Sequence, residues 1–389
     1  MNGAAPLPPL ALYVHLPWCV RKCPYCDFNS HVLRGELPVA AYARTLEADL
    51  DALGPLLGAR SAISVYLGGG TPSLFPPEAM GRLLEAVRAR VPLAEDAEVT
   101  LEANPGTVDP ARLAGYRAAG VTRLSLGVQS FDARMLAALG RVHDAGQARC
   151  AAEWARAVFD EVNLDLMYGL PGQTLEMVRA DLAAALRYEP THVSAYQLAI
   201  EPNTVFWSRP PPLPEPDLCA DMQFEIEALL AAAGYEHYEV SAFARPGHRS
   251  RHNLNYWQFG DYAGLGAGAH GKLTVAGTVT RHERPRAPRE HARAAGRVVH
   301  RPVPPRDLPF EFALNALRLV EGFDAGLFCA RTGLPWQAFA APLAEAERRG
   351  LVELVDGRVR PSALGRRFLN DAIALFLPAA ENEVSHLVA

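Results

Sequence analysis

The sequence predicts an α/β fold: a parallel sheet covered by helices, followed by a smaller helical unit. Three observations carry that expectation. Short apolar runs alternate with stretches of helical periodicity as far as residue 233. The ends of the apolar runs hold glycine, acid, amide and thiol groups instead of packing residues. From Pro309 the pattern changes to short helices around one strand pair. A chain of 389 residues, 49% hydrophobic, has enough apolar content for one large domain and a smaller one.

The elements follow in order. "ALYVHL" reads as a strand and "AYARTLEADLDALGPLL" as a helix with its apolar stripe at helical spacing. Next come "ISVYLG" with "PEAMGRLLEAVRARV", then "EVTLEA" with "PARLAGYRAAG", then "RLSLGV" with a helical stretch from Asp132. "EVNLDLMYG" precedes "TLEMVRADLAAALRYEP". "HVSAYQLAI" precedes the proline-rich connector "RPPPLPEP", residues 209–216, and a helix from Cys219. These make about six strand–helix units. The stretch from Tyr235 to Gly271 is rich in aromatics, glycine and histidine and fits no simple period. "KLTVAGTVTRHE" suggests a hairpin. Helices at "FEFALNALRLVEGF" and "WQAFAAPLAEAERRG", the strand pair "LVELVDGRVRPS" and a last helix "ALGRRFLNDAIALFL" resemble a winged-helix module. The expected division is 1–235 core, 236–305 extension and 306–389 C-terminal module.

Each first-half strand ends in groups suited to chemistry. A cysteine loop follows the first, and Gly68-Gly69-Gly70-Thr71 the second. Glu102 and Asn104 close the third, Gln129 and Ser130 the fourth; Asp165 lies in the fifth, and Ala199 to Glu201 end the sixth. In barrel-like α/β folds the carboxyl ends of the strands form the active face, so the six ends together predict one shared site.

Composition excludes several classes. A net charge of −5 gives no basic footprint for nucleic acid. Only Lys22 and Lys272 are lysines, so nearly all the positive charge is arginine. No run is long enough to span a bilayer, and "MNGAAPLPPLALYVHL" lacks a secretion signal's charged start and apolar core. Six cysteines, with Cys150, Cys219 and Cys329 scattered, do not form a secreted disulfide pattern. These three are expected to be buried helix residues, and the setting cytoplasmic and reducing.

"CVRKCPYC" places Cys19, Cys23 and Cys26 within eight positions, with no fourth cysteine after them. Three readings are open: buried core thiols, a zinc site with His15 or His31 as fourth ligand, or an iron–sulfur cube held at three corners. Arg21, Lys22 and Pro24 are loop residues, which disfavours the core. Zinc modules usually pair two near and two far ligands. In the third reading the iron without a thiolate is a Lewis-acid position open to a small chelating molecule.

"CVRKCPYC" resembles the CxxxCxxC signature of radical S-adenosylmethionine (SAM) enzymes. "YVHLPWC", "YLGGGTPS", "LEANP", "GVQS" and "NLDLMYGLPGQT" resemble the HemN/HemW branch of that family. The resemblance implies a partial (β/α)6 radical-SAM barrel with a C-terminal helical, winged-helix-like domain. It implies a 4Fe–4S cluster on Cys19, Cys23 and Cys26, whose open iron takes the amino and carboxylate groups of SAM and whose electron cleaves the sulfonium bond. It also implies that Tyr13 and Tyr25 flank the cluster and that Gly69, Gly70 and Thr71 approach the methionine amino group. Glu102 would accept from a ribose or ammonium. Gln129, Arg141, Asp165 and Ala199 match positions that line a second SAM site in the oxidase relatives.

The coproporphyrinogen III oxidases of this branch carry a further cysteine where Phe28 stands, and a substantial region ahead of the loop where only 18 residues precede Cys19. Both departures point away from decarboxylation of coproporphyrinogen and toward the HemW-type heme chaperones. "HNLNYW", residues 252–257, matches their HNxxYW pattern, in which the histidine is implicated in holding heme. His252 is thus the expected heme ligand, with His248 and His270 as rivals. The expected function is to bind heme and deliver it to acceptors such as membrane-bound respiratory hemoproteins. No nucleic acid and no membrane anchor of the chain's own are expected.

Overall fold

The computed structural model describes residues 7–378. The first six residues of the expected core and residues 379–389 of the expected C-terminal module lie outside the described residues. The six expected strands are β1 Leu10–Leu16, β2 Ala62–Gly69, β3 Leu93–Ala103, β4 Arg123–Gln129, β5 Glu161–Tyr168 and β6 His192–Gln197. They pair in sequence order and all in parallel, as right-handed strand–helix units dictate. The sheet stays open and is extended at both edges, which makes the barrel partial.

The two-residue strand period sorts the side chains. Val65, Leu67, Val99, Leu101, Leu124, Leu126, Val162, Leu164 and Val193 join one apolar core with helix residues such as Leu46, Leu50, Met80, Leu84 and Leu182. The opposite face carries a polar column, including Ser64, Tyr66, Glu102, Ser125, Asn163, Asp165 and His192, bonded across the strands. A helix-covered parallel sheet would normally be apolar on both faces. Here only the outer one is.

The segment after residue 235, illegible by period, resolves into strands at both edges. β7 Glu236–Glu239 and β8 Ala242–Ala244 lie beyond β6. The chain then passes through the helix Arg251–Trp257 and re-enters at β9 Asp261–Leu265, parallel to β1 on the opposite edge. The hairpin expected at 272–283 forms as β10 His270–Val275 and β11 Thr278–Glu283, with β12 Val299–Pro302 outermost. The short helix lies at the amino ends of the strands: Glu98, paired with Ser64 near the start of β2, accepts from the amides of Arg251 and His252. It therefore floors the barrel, at the end opposite the strand termini that carry the cysteine loop.

Several details differ from the sequence reading. The helix expected from Asp132 is broken into Ala133–Ala138 and Ala145–Val158; Gly140 adopts φ +64°, and Asp144 restarts the helix with a capping box to Gln147. Cys150 is exposed, because the buried stripe of its helix runs through Ala148, Ala151, Ala152 and Ala155. Cys219 is buried and Cys329 partly so. The C-terminal unit adds a helix, Ala325–Thr332, between those expected, and gathers Phe312, Phe323, Phe328, Phe339 and Phe376 into its own core. Among the described residues no helix is long and apolar enough to cross a membrane.

One buried charge fastens the edge extension to the barrel. Asp49, fully enclosed on the helix Val39–Leu57, binds Arg284 at 2.9 Å and His291 at 2.8 Å and accepts from the Gly266 amide. Asp49→Ala strands a buried guanidinium and is expected to lower the unfolding free energy by about 3–5 kcal/mol, measured by urea unfolding. A loss under about 1 kcal/mol would show that the cluster is dispensable.

Candidate functional site

The cysteine loop is pinched at its base, where Trp18 and Cys19 pair with His31 and Val32 and the Leu33 amide donates to the Cys19 carbonyl. A turn from the Cys26 amide to the Cys23 carbonyl brings those two cysteines together. All three are free thiols. They line one wall of a cavity of about 550 Å3 that opens over the carboxyl ends of β2 to β6. Burial pushes the Cys19 and Cys26 thiols up. A bound metal reverses this preference, since a coordinating thiol is deprotonated outright.

The donor set fits an iron–sulfur cube. His15, the first zinc alternative, is spent: Nδ1 meets the Tyr13 hydroxyl and Nε2 the Asn29 carbonyl. His31 is turned to the Arg286 carbonyl. Among the described residues no three His, Cys, Asp or Glu side chains gather tightly enough to hold a single metal ion. Arg141, in the break between the helices, reaches the Cys23 sulfur at 3.6 Å and donates to the Gly127 carbonyl at 2.8 Å.

Of the other expected residues, Tyr25, Gly69, Gly70, Thr71, Glu102, Gln129, Arg141, Asp165 and Ala199 all line the same cavity. The glycines have a packing reason as well. Gly69 adopts φ +117°, and a Cβ on Gly70 would sit 2.6 Å from the Trp18 carbonyl oxygen, so only glycine lets β2 close against the cysteine loop. The amides of Gly69, Gly70 and Thr71 already bond Glu102, Leu16 and Trp18. What the segment can offer a ligand is carbonyl oxygen and the Thr71 hydroxyl.

Four acidic residues line the cavity, Asp27, Glu102, Asp165 and Glu201; Glu102 and Asp165 are the two that hydrogen-bond across the inner face of the sheet. Glu102 accepts from the Tyr66 hydroxyl at 2.8 Å and the Gly69 amide at 3.0 Å, and burial pushes its pKa up to about 7. Asp165 accepts from Ser125 at 3.1 Å and Asn163 at 2.8 Å, and burial raises it too. The salt bridge conceivable between Arg141 and Asp165 does not form; Arg141 turns to the thiol side instead. Gln129, in the left-handed region at φ +70°, accepts from Tyr196 at 2.6 Å. Backbone strain of this kind persists where the surroundings fix it, often at binding sites.

Tyr13 and His252 are placed elsewhere. Tyr13 lies behind the cavity wall, its ring stacked on Tyr66 at 6.2 Å and its hydroxyl on His15. His252 is 2% exposed on the floor helix: Nδ1 bonds Ser64, the ring stacks on Tyr66 at 4.8 Å, and Nε2 has no hydrogen-bond partner among the described residues. Burial pushes its pKa down to about 3. No macrocycle reaches Nε2 in this arrangement. His248 bonds Glu161, and His270 is exposed in β10. Sequence reasoning missed Tyr66, Ser125 and Tyr196, all cavity-lining. The alternation of β2, which puts Ser64, Tyr66 and Gly68 on one face, was the available signal.

The radical SAM superfamily model matches residues 13–185 and the HemN C-terminal domain model residues 303–368. A protein of Escherichia coli K12 named heme chaperone HemW is 48% identical over 95% of this chain and 99% of its own. A Haemophilus influenzae protein of the same name is 44% identical over 95% of this chain and 98% of its own. The solved structure of coproporphyrinogen III oxidase (HemN) from Escherichia coli superposes with a TM-score of 0.80 at 24% identity, over 95% of this chain and 90% of that one, a likeness of fold. The chain belongs to the HemW family of radical SAM proteins.

Proposed function

We propose that the chain binds heme and delivers it to acceptor hemoproteins, while Cys19, Cys23 and Cys26 hold a 4Fe–4S cluster and the cavity beside them holds SAM. The observation that carries the heme reading is the near full-length identity to proteins named heme chaperone. The cofactor reading rests on three free thiols and the carboxylates of Glu102 and Asp165 around one cavity. Such a cluster, when bound, supplies an electron and an open coordination position.

The chain's own groups then have distinct tasks. Arg141 lays a positive charge beside Cys23 and offsets the charge of the thiolates. Glu102 and Asp165 accept hydrogen bonds from hydroxyl or ammonium groups of the ligand. Tyr25, Met167 and Leu198 supply apolar wall and exclude water. His252 offers Nε2 as heme ligand, which requires the floor helix to move because that atom is enclosed. Tyr256 and Trp257, next on the same helix, would flank the macrocycle. The acceptors would include membrane-bound respiratory hemoproteins. A cytoplasmic setting suits cysteines that are all free.

Purified without air, the protein is expected to contain about four iron and four sulfide per chain, and Cys23→Ala to lose both. Zinc in their place, or full iron in the variant, would overturn the cluster reading. Hemin titration should give a sharp Soret band that weakens in His252→Ala; an unaltered band would reject His252 as ligand. The affinity for SAM should rise with pH. Glu102 is neutral below about 7 and charged above it, and only the charged form attracts the cationic ligand. Calorimetric titration from pH 6 to 8 should show the rise, levelling above about 7, and a flatter profile in Glu102→Gln. Affinity falling with pH would contradict the assignment.

A further inference from the structure

The barrel interior holds buried polar groups that neither the cavity nor the heme ligand uses, and they are aligned. The Ser250 amide donates to Tyr238 Oη at 3.4 Å. With that oxygen accepting, its own hydrogen goes to His192 Nε2 at 2.7 Å. His192 Nδ1 therefore carries the proton and donates to Asn163 Oδ1 at 2.6 Å. Asn163 Nδ2 donates to Asp165 Oδ1 at 2.8 Å. Every donor in this chain points the same way, from the first residue of the floor helix's cap to a carboxylate of the cavity. His192 and Asn163 are 2% and 5% exposed.

A second track runs beside it. His252 stacks on Tyr66, whose hydroxyl donates to Glu102 in the cavity wall. Glu98 holds the helix start through the amides of Arg251 and His252. Glu102 and Asp165 are thus both tied to the helix that carries His252. In a dry interior, hydrogen bonds in series polarise one another, and a change of partner at one end alters the other.

We infer that cavity and floor helix are one coupled unit, in which a cationic adenosyl ligand in the cavity sets the affinity of the floor helix for heme. The inference rests on the heme and SAM reading above and adds its regulation. A ligand cation that takes Glu102 and Asp165 as acceptors weakens their hold on Tyr66 and on the donor chain, and so loosens the helix that must move to expose His252. Linkage is reciprocal: heme must then alter SAM affinity by the same factor. Tyr238 and His192 act as positioning residues, since neither lines the cavity.

The test is hemin titration of the cluster-loaded full chain with and without saturating SAM, read at the Soret band. The wild type is expected to show hemin affinities differing by about fivefold or more between the two conditions. Tyr238→Phe keeps the ring and removes the relay hydroxyl; His192→Gln cuts the chain one step on. In each, the ratio should fall below about twofold while both ligands still bind. A merely structural role would weaken hemin binding equally in both conditions and leave the ratio intact. Equal hemin affinities in the wild type, or a wild-type ratio in both variants, would overturn the coupling. No Soret band in the wild type under either condition would remove the heme reading, and the coupling with it.

Discussion

Three thiols without a sulfur partner, carried on one loop above the strand ends, are the constraint around which the molecule is arranged. Thiolates gathered in a protein interior repel one another and need either protons or metal to be stable there. The fold meets this by pinching the loop at Trp18–Cys19 against His31–Val32 and laying the Arg141 guanidinium against Cys23. Close approach of β2 is possible only because Gly70 has no side chain to strike the Trp18 carbonyl. The cavity offers what the open corner of the proposed cube would require: room for one small ligand, with acceptors on its far wall.

The polar inner face follows from the same arrangement. A barrel filled with leucine and valine would be more stable, but it would leave Glu102 and Asp165 without donors. Instead each acid is served from below by a neighbour two residues away or on the next strand. These donors need partners in turn, and the demand propagates until the floor helix satisfies it. The helix Arg251–Trp257 thus does two things at once. It closes the barrel, and it carries the histidine that the family resemblance singles out.

Much of the fold was legible because the strands are simple. "EVTLEA", "RLSLGV" and "EVNLDL" alternate strictly, so both element type and inward residues can be read from them. The expected cysteine, glycine and acid residues do line one cavity, since strand ends converge whatever the loops do. The 235–271 stretch was opaque for a physical reason. β9 reads "DYAGL", and its Gly264 passes so close to His270 that a Cβ would lie 2.1 Å from that carbonyl oxygen; the contact that requires glycine also erases the strand signal. Tyr13 matched a motif and shares the inner face with Tyr66, yet its ring packs on Tyr66 and its hydroxyl on His15, and it does not line the cavity. His252 sits in a pattern that suggested a heme ligand, and tertiary packing encloses it.

The central claim is that one corner of a thiolate-held cube is open to SAM. Electron paramagnetic resonance of the reduced, anaerobic protein tests it most directly, recorded before and after SAM is added. The account predicts a reduced 4Fe–4S signal whose g values shift on addition, because the ligand enters the coordination sphere of one iron. A signal indifferent to SAM at saturating concentration would contradict it.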